Sequence, residues 1–455
     1  MIKPTVSTLK ANSAGILNFI RGSAGSDYYN AVPEAVQTTE SIRMVGEAIF
    51  GYQPRVNKFM DMVNRIAMVI VSSKMYQNPW GWAIKGQLEF GESIEETFVN
   101  IAAAQPFNAA RGETEFAKRH LPDIRSAFHA INLETQYPVT IERWEMRKAF
   151  LSVNGVTDLI DKIVASQYSA RNYDQFVMMK YLIARMVMDG SLTFKAIPAV
   201  TDEASGKTAI AALRGTVQKF GFMSSDFNIA GVQNFSDIVK VRAIVSVDFD
   251  NVIGVDVQAS AFNLGKVEYL GRRTLVDSFG FNAGEINRLN MLLANDPDYV
   301  PISDDDNTAL KTISAVALDE DFLQCYIGNQ WYDTDNIAVG GYTNNYLNLS
   351  MIYSASPFAN VAVFGTTAPT VTAVTVSGPD TAAPEDTVQY VANVSGTDFV
   401  NKGVVFSISP TTNATINANT GLVNYGPDAS GTYTITATSV FDGTKSGSTT
   451  TTTVS

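Results

Sequence analysis

Residues that carry chemistry are scarce in this 455-residue chain, which has one cysteine and two histidines. A lone thiol, Cys325, excludes an intrachain disulfide, so the fold must stand on packing or on association with other chains. Its neighbours Leu323, Tyr326 and Ile327 mark it as a buried, inert side chain rather than a nucleophile. His120 and His129, with only Glu113, Glu115 and Asp123 nearby, lack metal-ligand spacing, so neither metal nor cofactor is expected. Also missing are GxxxxGK(S/T), GxGxxG after a strand, HExxH, GxSxG and CxxC. With so little material for a nucleophile and base, no catalytic residue is expected, and the chain reads as structural. Meetings between carboxylates are possible in any chain with 45 acidic residues and carry no specific signal.

No window approaches 18 consecutive apolar residues, and the start, MIKPTVSTLKANS, has no apolar signal core. A protein made and folded in cytoplasm, without membrane insertion, is therefore expected. The 33 basic and 45 acidic residues give a net charge of −12, with no Lys/Arg-rich run. Such a surface excludes sequence-specific reading of nucleic acid, but it can enclose nucleic acid without gripping it.

What is present begins with apolar content of 45%, enough for the cores of two to four domains. The dominant stretch is Val156–Gly190. Apolar residues recur there at Val156, Leu159, Ile160, Ile163 and Val164, then at Phe176, Val177, Met179, Ile183, Met186 and Val187, which is helical spacing. Thr157 is placed to cap the start, Asp158 and Asp161 suit the positive end of the helix dipole, and Asp189-Gly190 supplies a left-handed stop. Unbroken, the helix is about 50 Å long at its rise per residue, with Ser169-Ala170-Arg171-Asn172 the candidate break.

Residues 1–45 read as a Ser/Ala/Gly-rich arm with one amphipathic candidate, Leu9–Ile20, and the run IAMVIV at Ile66–Val71 reads as a buried strand. From Tyr76 to Phe107, Asn78-Pro79, Gly81, Gly86 and Gly91 cut the chain into short strands of a projecting β-loop. Trp80, Trp82, Phe90 and Phe98 have little local core to cover them, which predicts that another subunit covers them, the alternative being that they fold back on their own domain. Strands are expected at Leu192–Pro198 and Ala243–Phe249, with a polar connection at Thr201–Lys207. Val255–Phe281 reads as a helix flanked by strands, the acids at Asp296, Asp298 and Asp304–Asp306 as a solvated turn, and Asn344–Phe364 as strands. Beyond Gly365 the chain turns Thr/Val/Ala/Gly/Ser-rich, with only Lys402 and Lys445 as bases. Five alternating segments (Val371–Gly378, Thr387–Gly396, Gly403–Ser409, Ala414–Tyr425 and Gly431–Val440) predict a separate β-sandwich.

Taken in order, Gly86–Ile101, the long helix, Val255–Phe281, SPFANVAVF at Ser356–Phe364 and the β-module resemble the major capsid proteins of phi29-like short-tailed bacteriophages, within the Hong Kong 97-like capsid fold. The module, through NANTGLVNY and GTYTITATS, resembles group 2 bacterial Ig-like domains, with Phe406 where that family often carries tryptophan. The resemblance implies an α+β fold: an arm over 1–45 and a peripheral domain over 46–220, the latter containing an E-loop at about 74–110 and a spine helix at 156–190. It further implies an axial domain over 221–335, return strands over 336–365 and an Ig-like domain over 366–455. It also implies self-assembly as pentamers and hexamers into an icosahedral or prolate head, with scaffolding and portal proteins as partners, and packaged double-stranded DNA touched without sequence specificity. The Ig-like domain is then expected on the outer surface, where weak attachment to host glycans is a secondary expectation. The alternative is a secreted or surface adhesin with a carbohydrate-binding Ig-like module, against which the missing export signal counts.

Overall fold

The computed structural model describes residues 13–453 apart from 53, 60–75, 89–92, 103, 105–118, 120, 153 and 253–271. The expected strand at 66–71 and most of the expected helix-and-strand segment 255–281 therefore lie outside the described residues. The chain divides into two compact units: Met1–Ile94 with Phe128–Met179 and Gln324–Ser354, and Glu95–Ala127 with Lys180–Leu323 and Ala355–Ser455.

In the first unit the expected arm is instead folded. Helices Ser13–Ser23, Ser26–Ala31 and Thr39–Phe50 put Ile16, Leu17, Ile20, Ile42, Val45 and Ile49 into one core with Ile141, Met146, Phe150 and Val156. The reason is local spacing reinforced by one amide: Asn18 donates to the Ala35 carbonyl at 2.8 Å and accepts from the Ala35 amide at 2.7 Å, tying the first helix to the chain that returns past it. Thr38 caps the third helix through the Ser41 amide. At Gly46 this helix comes so close to Phe150 that an added Cβ would stand 2.7 Å from its ring. The four-stranded sheet of this unit runs Ile84–Gln87, Leu323–Ile337, Tyr342–Ala355, Leu133–Glu142. Its last two strands pair antiparallel from Tyr342↔Glu142 to Met351↔Leu133.

The long helix spans Gly155–Met188 without a break, so the polar interval Ser169–Asn172 is accommodated within it. Tertiary partners for those polar groups, described below, remove the reason to interrupt. Asp189 and Gly190 end the helix, Gly190 in the left-handed region at φ +64°.

The second unit holds a five-stranded mixed sheet in the order Thr193–Ala196, Val361–Gly365, Ile313–Asp319, Val241–Ser246, Arg272–Val276. Strands Val241–Ser246 and Val361–Gly365 are buried at every position, the pattern of strands covered on both faces, with Arg242 in the first paired to Glu320. One cover is the helix Glu203–Phe220, whose Ala209, Ile210, Leu213, Val217 and Phe220 pack on Ala243, Val245, Ala317 and Phe364. This helix begins inside the stretch expected to be a polar connection. Its polar first turn is a cap: Asp202 accepts from the Ser205 amide and the Ser205 hydroxyl answers to the Asp202 amide. The acids at Asp304–Asp306 likewise form not a turn but the first turn of helix Asp304–Leu310, capped by Ser303.

Lys180 is fully buried in this unit. Its ammonium lies 3.2 Å from buried Glu285 and 3.2 Å from Asp277, over the Phe281 ring. Glu285 at the same time accepts from the Asn282 amide at the start of helix Ala283–Leu292.

Beyond residue 370 three small sheets surround one core of Tyr390, Phe406, Val423, Tyr425, Tyr433 and Ile435. The Tyr390 hydroxyl lies 2.6 Å from the Thr451 hydroxyl and 3.1 Å from that of Tyr425. The five expected segments are present, two of them divided, as Thr387–Gln389 with Val391–Gly396 and as Ala414–Ile416 with Leu422–Tyr425. A further strand, the hydroxyl-rich Ser446–Thr453, was not legible as one. It pairs with Gly431–Ser439 over eight positions and directs Thr451 inward.

Removing one partner of a buried ion pair leaves the other charge uncompensated. Lys180→Met is therefore expected to destabilise the chain by about 3 kcal/mol or more, read as a lower urea midpoint. Lys58→Met, on an exposed side chain, should leave the midpoint nearly unchanged.

Candidate assembly site on the projecting loop

The root of the loop is built on one face of the long helix. Ser169, Asn172, Tyr173, Phe176 and Met179 recur at three- and four-residue intervals, which stacks them along a single stripe. Ser169 accepts from the Tyr76 amide at 3.2 Å, and Asn172 donates to the Tyr76 carbonyl at 2.7 Å. The Tyr76 and Tyr173 rings meet edge to face at 5.7 Å. Asn78 then makes a side-chain turn, accepting from the Trp80 amide at 2.8 Å, and this swings the indole inward. Trp80 is 0% exposed and packs edge to face on Phe176 at 5.3 Å. From there the chain joins the sheet, Ile84 and Gln87 pairing parallel with Cys325 and Ile327.

The four aromatics expected to be covered by another subunit are thus placed differently from one another. Trp80 departs from that expectation, because its ring is already shielded inside its own chain. Trp82 is half-buried. Phe90 lies outside the described residues. Phe98 is half-buried and stacks on Phe358 at 5.3 Å, while neighbouring Glu96 accepts from the Ser356 hydroxyl at 2.7 Å.

Other residues, of the loop and of the strand that follows it, carry exposed apolar surface. Strands Ser93–Val99 and Ile124–Ala130 form a two-stranded ribbon. Exposure alternates along Ser93–Val99, turning Phe98 in and leaving Val99 57% exposed. Ile101 is 58%, Leu121 85% and Ile124 56% exposed. Near the ribbon's end the Asn100 amide donates to the Asp123 carbonyl at 2.8 Å. Hydrogen bonds from Asn100 and then Arg125 hold the Asp123 carboxyl below the usual carboxylate range. Arg125 also donates to the Ala230 carbonyl at 2.8 Å. Strand alternation is the signal that separates exposed Val99 from half-buried Phe98, which aromatic size alone does not.

Nothing in this arrangement resembles a reactive centre. Among the described residues no three His, Cys, Asp or Glu side chains gather as a metal site. His129 is buried with Nδ1 2.7 Å from the Ser354 hydroxyl, and His120 lies outside the described residues. Burial pushes the Cys325 thiol up to about 12. The geometry is that of a clamped loop root and an apolar ribbon.

Residues 17–365 match the phi29-like phage major capsid protein family. The chain belongs to that family. It is 28% identical to the major capsid protein of Bacillus phage B103 over 435 residues, covering 94% of this chain and 90% of that protein. Coverage that broad carries the similarity past residue 365 into the C-terminal β-region. The major capsid protein of Bacillus phage GA-1 is 30% identical over 309 residues, 67% of this chain and 59% of that one. A weaker likeness, TM-score 0.48 at 11% identity over 66% of this chain and 87% of the other, links it to the capsid structure of Staphylococcus phage Andhra. The capsid subunit is a structural protein of the phage head, residing in the virion, whose copies assemble with one another into the shell; it is not an enzyme. No finding supports the adhesin reading. No helix among the described residues is long and apolar enough to cross a membrane.

Two measurements check this site. Trp80→Ala should cost about 3–5 kcal/mol, the range for emptying a buried aromatic position, and lower the urea midpoint of the unassembled subunit. A merely interfacial Trp80 would leave that midpoint alone. For Cys325, a folded-state value near 12 favours the neutral thiol, so at pH 8 only roughly one molecule in ten thousand holds a thiolate. A thiol reagent is accordingly expected to label the chain in urea but not when folded.

Proposed function

We propose that the subunit closes its shell through the apolar side chains exposed at the end of the ribbon, with Val99, Ile101, Leu121 and Ile124 covered by a neighbouring copy. The supporting observation is their exposure on a chain whose family builds shells: four apolar side chains more than half open to water, two just before and two just after the residues 105–118 that lie outside the described ones. Large apolar groups left open in this way mark association surfaces. Closed symmetry repeats each modest contact over every copy. Under this reading the Hong Kong 97-like plan applies, with 74–110 reaching over an adjacent subunit and 221–335 meeting its copies around pentamer and hexamer centres. Trp82, Phe90 and Phe98 belong to the same loop and flank the interface, whereas Trp80 acts from within. Scaffolding and portal proteins are the assembly partners. The net charge of −12 suits a wall that touches packaged double-stranded DNA without holding it.

The C-terminal region reads as an Ig-like sandwich shown on the outside of the head. Its support is the pairing of Val404–Ser409, Gly431–Ser439 and Ser446–Thr453 into one sheet. Register places Thr434, Thr436 and Thr438 beside Thr450, Ser448 and Ser446 on a face of hydroxyls without charge. Such a face suits weak, repeated contacts with neutral host glycans, strengthened by copy number.

Leu121→Ser with Ile124→Ser should reduce particle yield at least about tenfold, the effect of losing ~1.4 kcal/mol of contact free energy. The melting temperature of the unassembled subunit should stay within about 2 °C of wild type. Wild-type particle yield would exclude this face as an interface. For the glycan reading, phage carrying Thr434→Val and Thr450→Val should adsorb to host cells more slowly; unchanged adsorption by intact particles removes it.

A further inference from the structure

We infer that the C-terminal β-region is held in one orientation by a seat on its own subunit, centred on Gly190 and Phe194, rather than swinging on a tether. Gly190 sits just past the long helix at φ +64°, and a Cβ there would stand 2.2 Å from the Asn401 amide nitrogen and 2.5 Å from the Val400 carbonyl carbon. Backbone lies directly on backbone, an approach only glycine permits. Four residues on, Phe194 stacks on Phe399 with ring centroids 5.8 Å apart and planes 18° from parallel. Phe399 is itself in the left-handed region at φ 65° although it is not glycine. That conformation costs roughly 1–2 kcal/mol and persists only where the surroundings enforce it. Here the stack on Phe194 and the burial of both Phe399 and Val400 do so.

The seat continues past the ring pair. Met188, Asp306 and Ala309 face Gly396, Phe399 and Val400 across a shared cleft. The connection is short and pinned at both ends. The Thr366 amide donates to the Thr312 carbonyl at 3.3 Å, the Thr397 amide to the Thr370 carbonyl at 2.9 Å, and the Thr370 amide to the Thr397 hydroxyl at 2.7 Å. The intervening residues 366–370 reach at most about 17 Å when fully extended. A domain so tied cannot turn without first breaking the Gly190 and Phe399 contacts. Every copy in a shell then presents the C-terminal region in the same pose, so the spacing between copies is set by the lattice and not by a flexible linker. The seat belongs to one subunit, whichever side of the wall the region faces.

Limited proteolysis of the full chain tests it. Thr366, Thr367 and Ala368 are exposed and open to a protease, but cleavage needs the chain around them to open locally. Gly190→Asn keeps a residue that tolerates the left-handed backbone and adds the Cβ that has no room. Phe399→Asn relieves the local strain while deleting the stack. Each is expected to raise cleavage within 366–370 at least about tenfold, the equilibrium shift that ~1.4 kcal/mol produces. Gly215→Ala, where an added Cβ would meet nothing within 4 Å, should cleave as wild type does. In images of assembled particles, density for residues 371–453 should be as sharp as the rest of the subunit in wild type and blurred in both seat variants. If Gly190→Asn fails to fold, Phe399→Asn decides alone, since its change is confined to the β-region. Wild-type chain cut as fast as the variants, or variants cut as slowly as wild type with density equally sharp, overturns the seat.

Discussion

One unbroken helix of 34 residues is the constraint on which separate sets of contacts depend. Its middle turns present Ser169, Asn172, Tyr173 and Phe176 to the root of the projecting loop. Lys180, one turn further, supplies the buried charge that holds Glu285 and with it the start of another helix. Just beyond its end, Gly190 gives the C-terminal region its seat. Each set of contacts uses its own stretch of the helix, where the 1.5 Å rise per residue sets the spacing of neighbouring groups. The polar residues in its middle are therefore not a weakness in the periodicity but the points at which other segments attach.

The distribution of polarity fits a structural protein. Chemistry that would be dangerous if reactive is neutralised by burial: the only thiol is pushed out of its reactive range, and His129 is hydrogen-bonded to Ser354. The buried cation is matched by carboxylates rather than left free to attract a ligand. Among the groups open to water are apolar side chains on the ribbon and hydroxyls on the C-terminal sheet. Surface of the first kind favours association through the release of water, and surface of the second kind stays soluble without charge. A family of capsid proteins needs both, since its members must fold before they assemble.

Trp80 illustrates how a loop aromatic is held within its own chain. Its indole is fixed by an asparagine turn before it and by Phe176 beneath it. The loop root is therefore already ordered in the single chain, which is what preorganisation means for any contact it makes.

By itself the sequence determined the scarcity of reactive residues, the long helix and its glycine stop, the strand character of the C-terminal region and the membership of the capsid family. These follow from composition, from periodicity along a single element and from similarity, none of which needs a partner in space. Only the tertiary structure decided that residues 13–50 pack as helices, because Asn18 reaches Ala35 seventeen residues away. It alone separated a capped helix at Glu203 from a polar loop, since Asp202 and Ser205 read the same in either. Ser446–Thr453 carries no apolar alternation, and its strand exists because Gly431–Ser439 lies beside it. Whether an aromatic of the loop faces its own chain or open water depends on what stands opposite, as Phe176 does for Trp80 and Phe358 for Phe98. Those partners are roughly 100 and 260 residues distant in the chain, and side-chain burial is a property of such pairs, not of the residue.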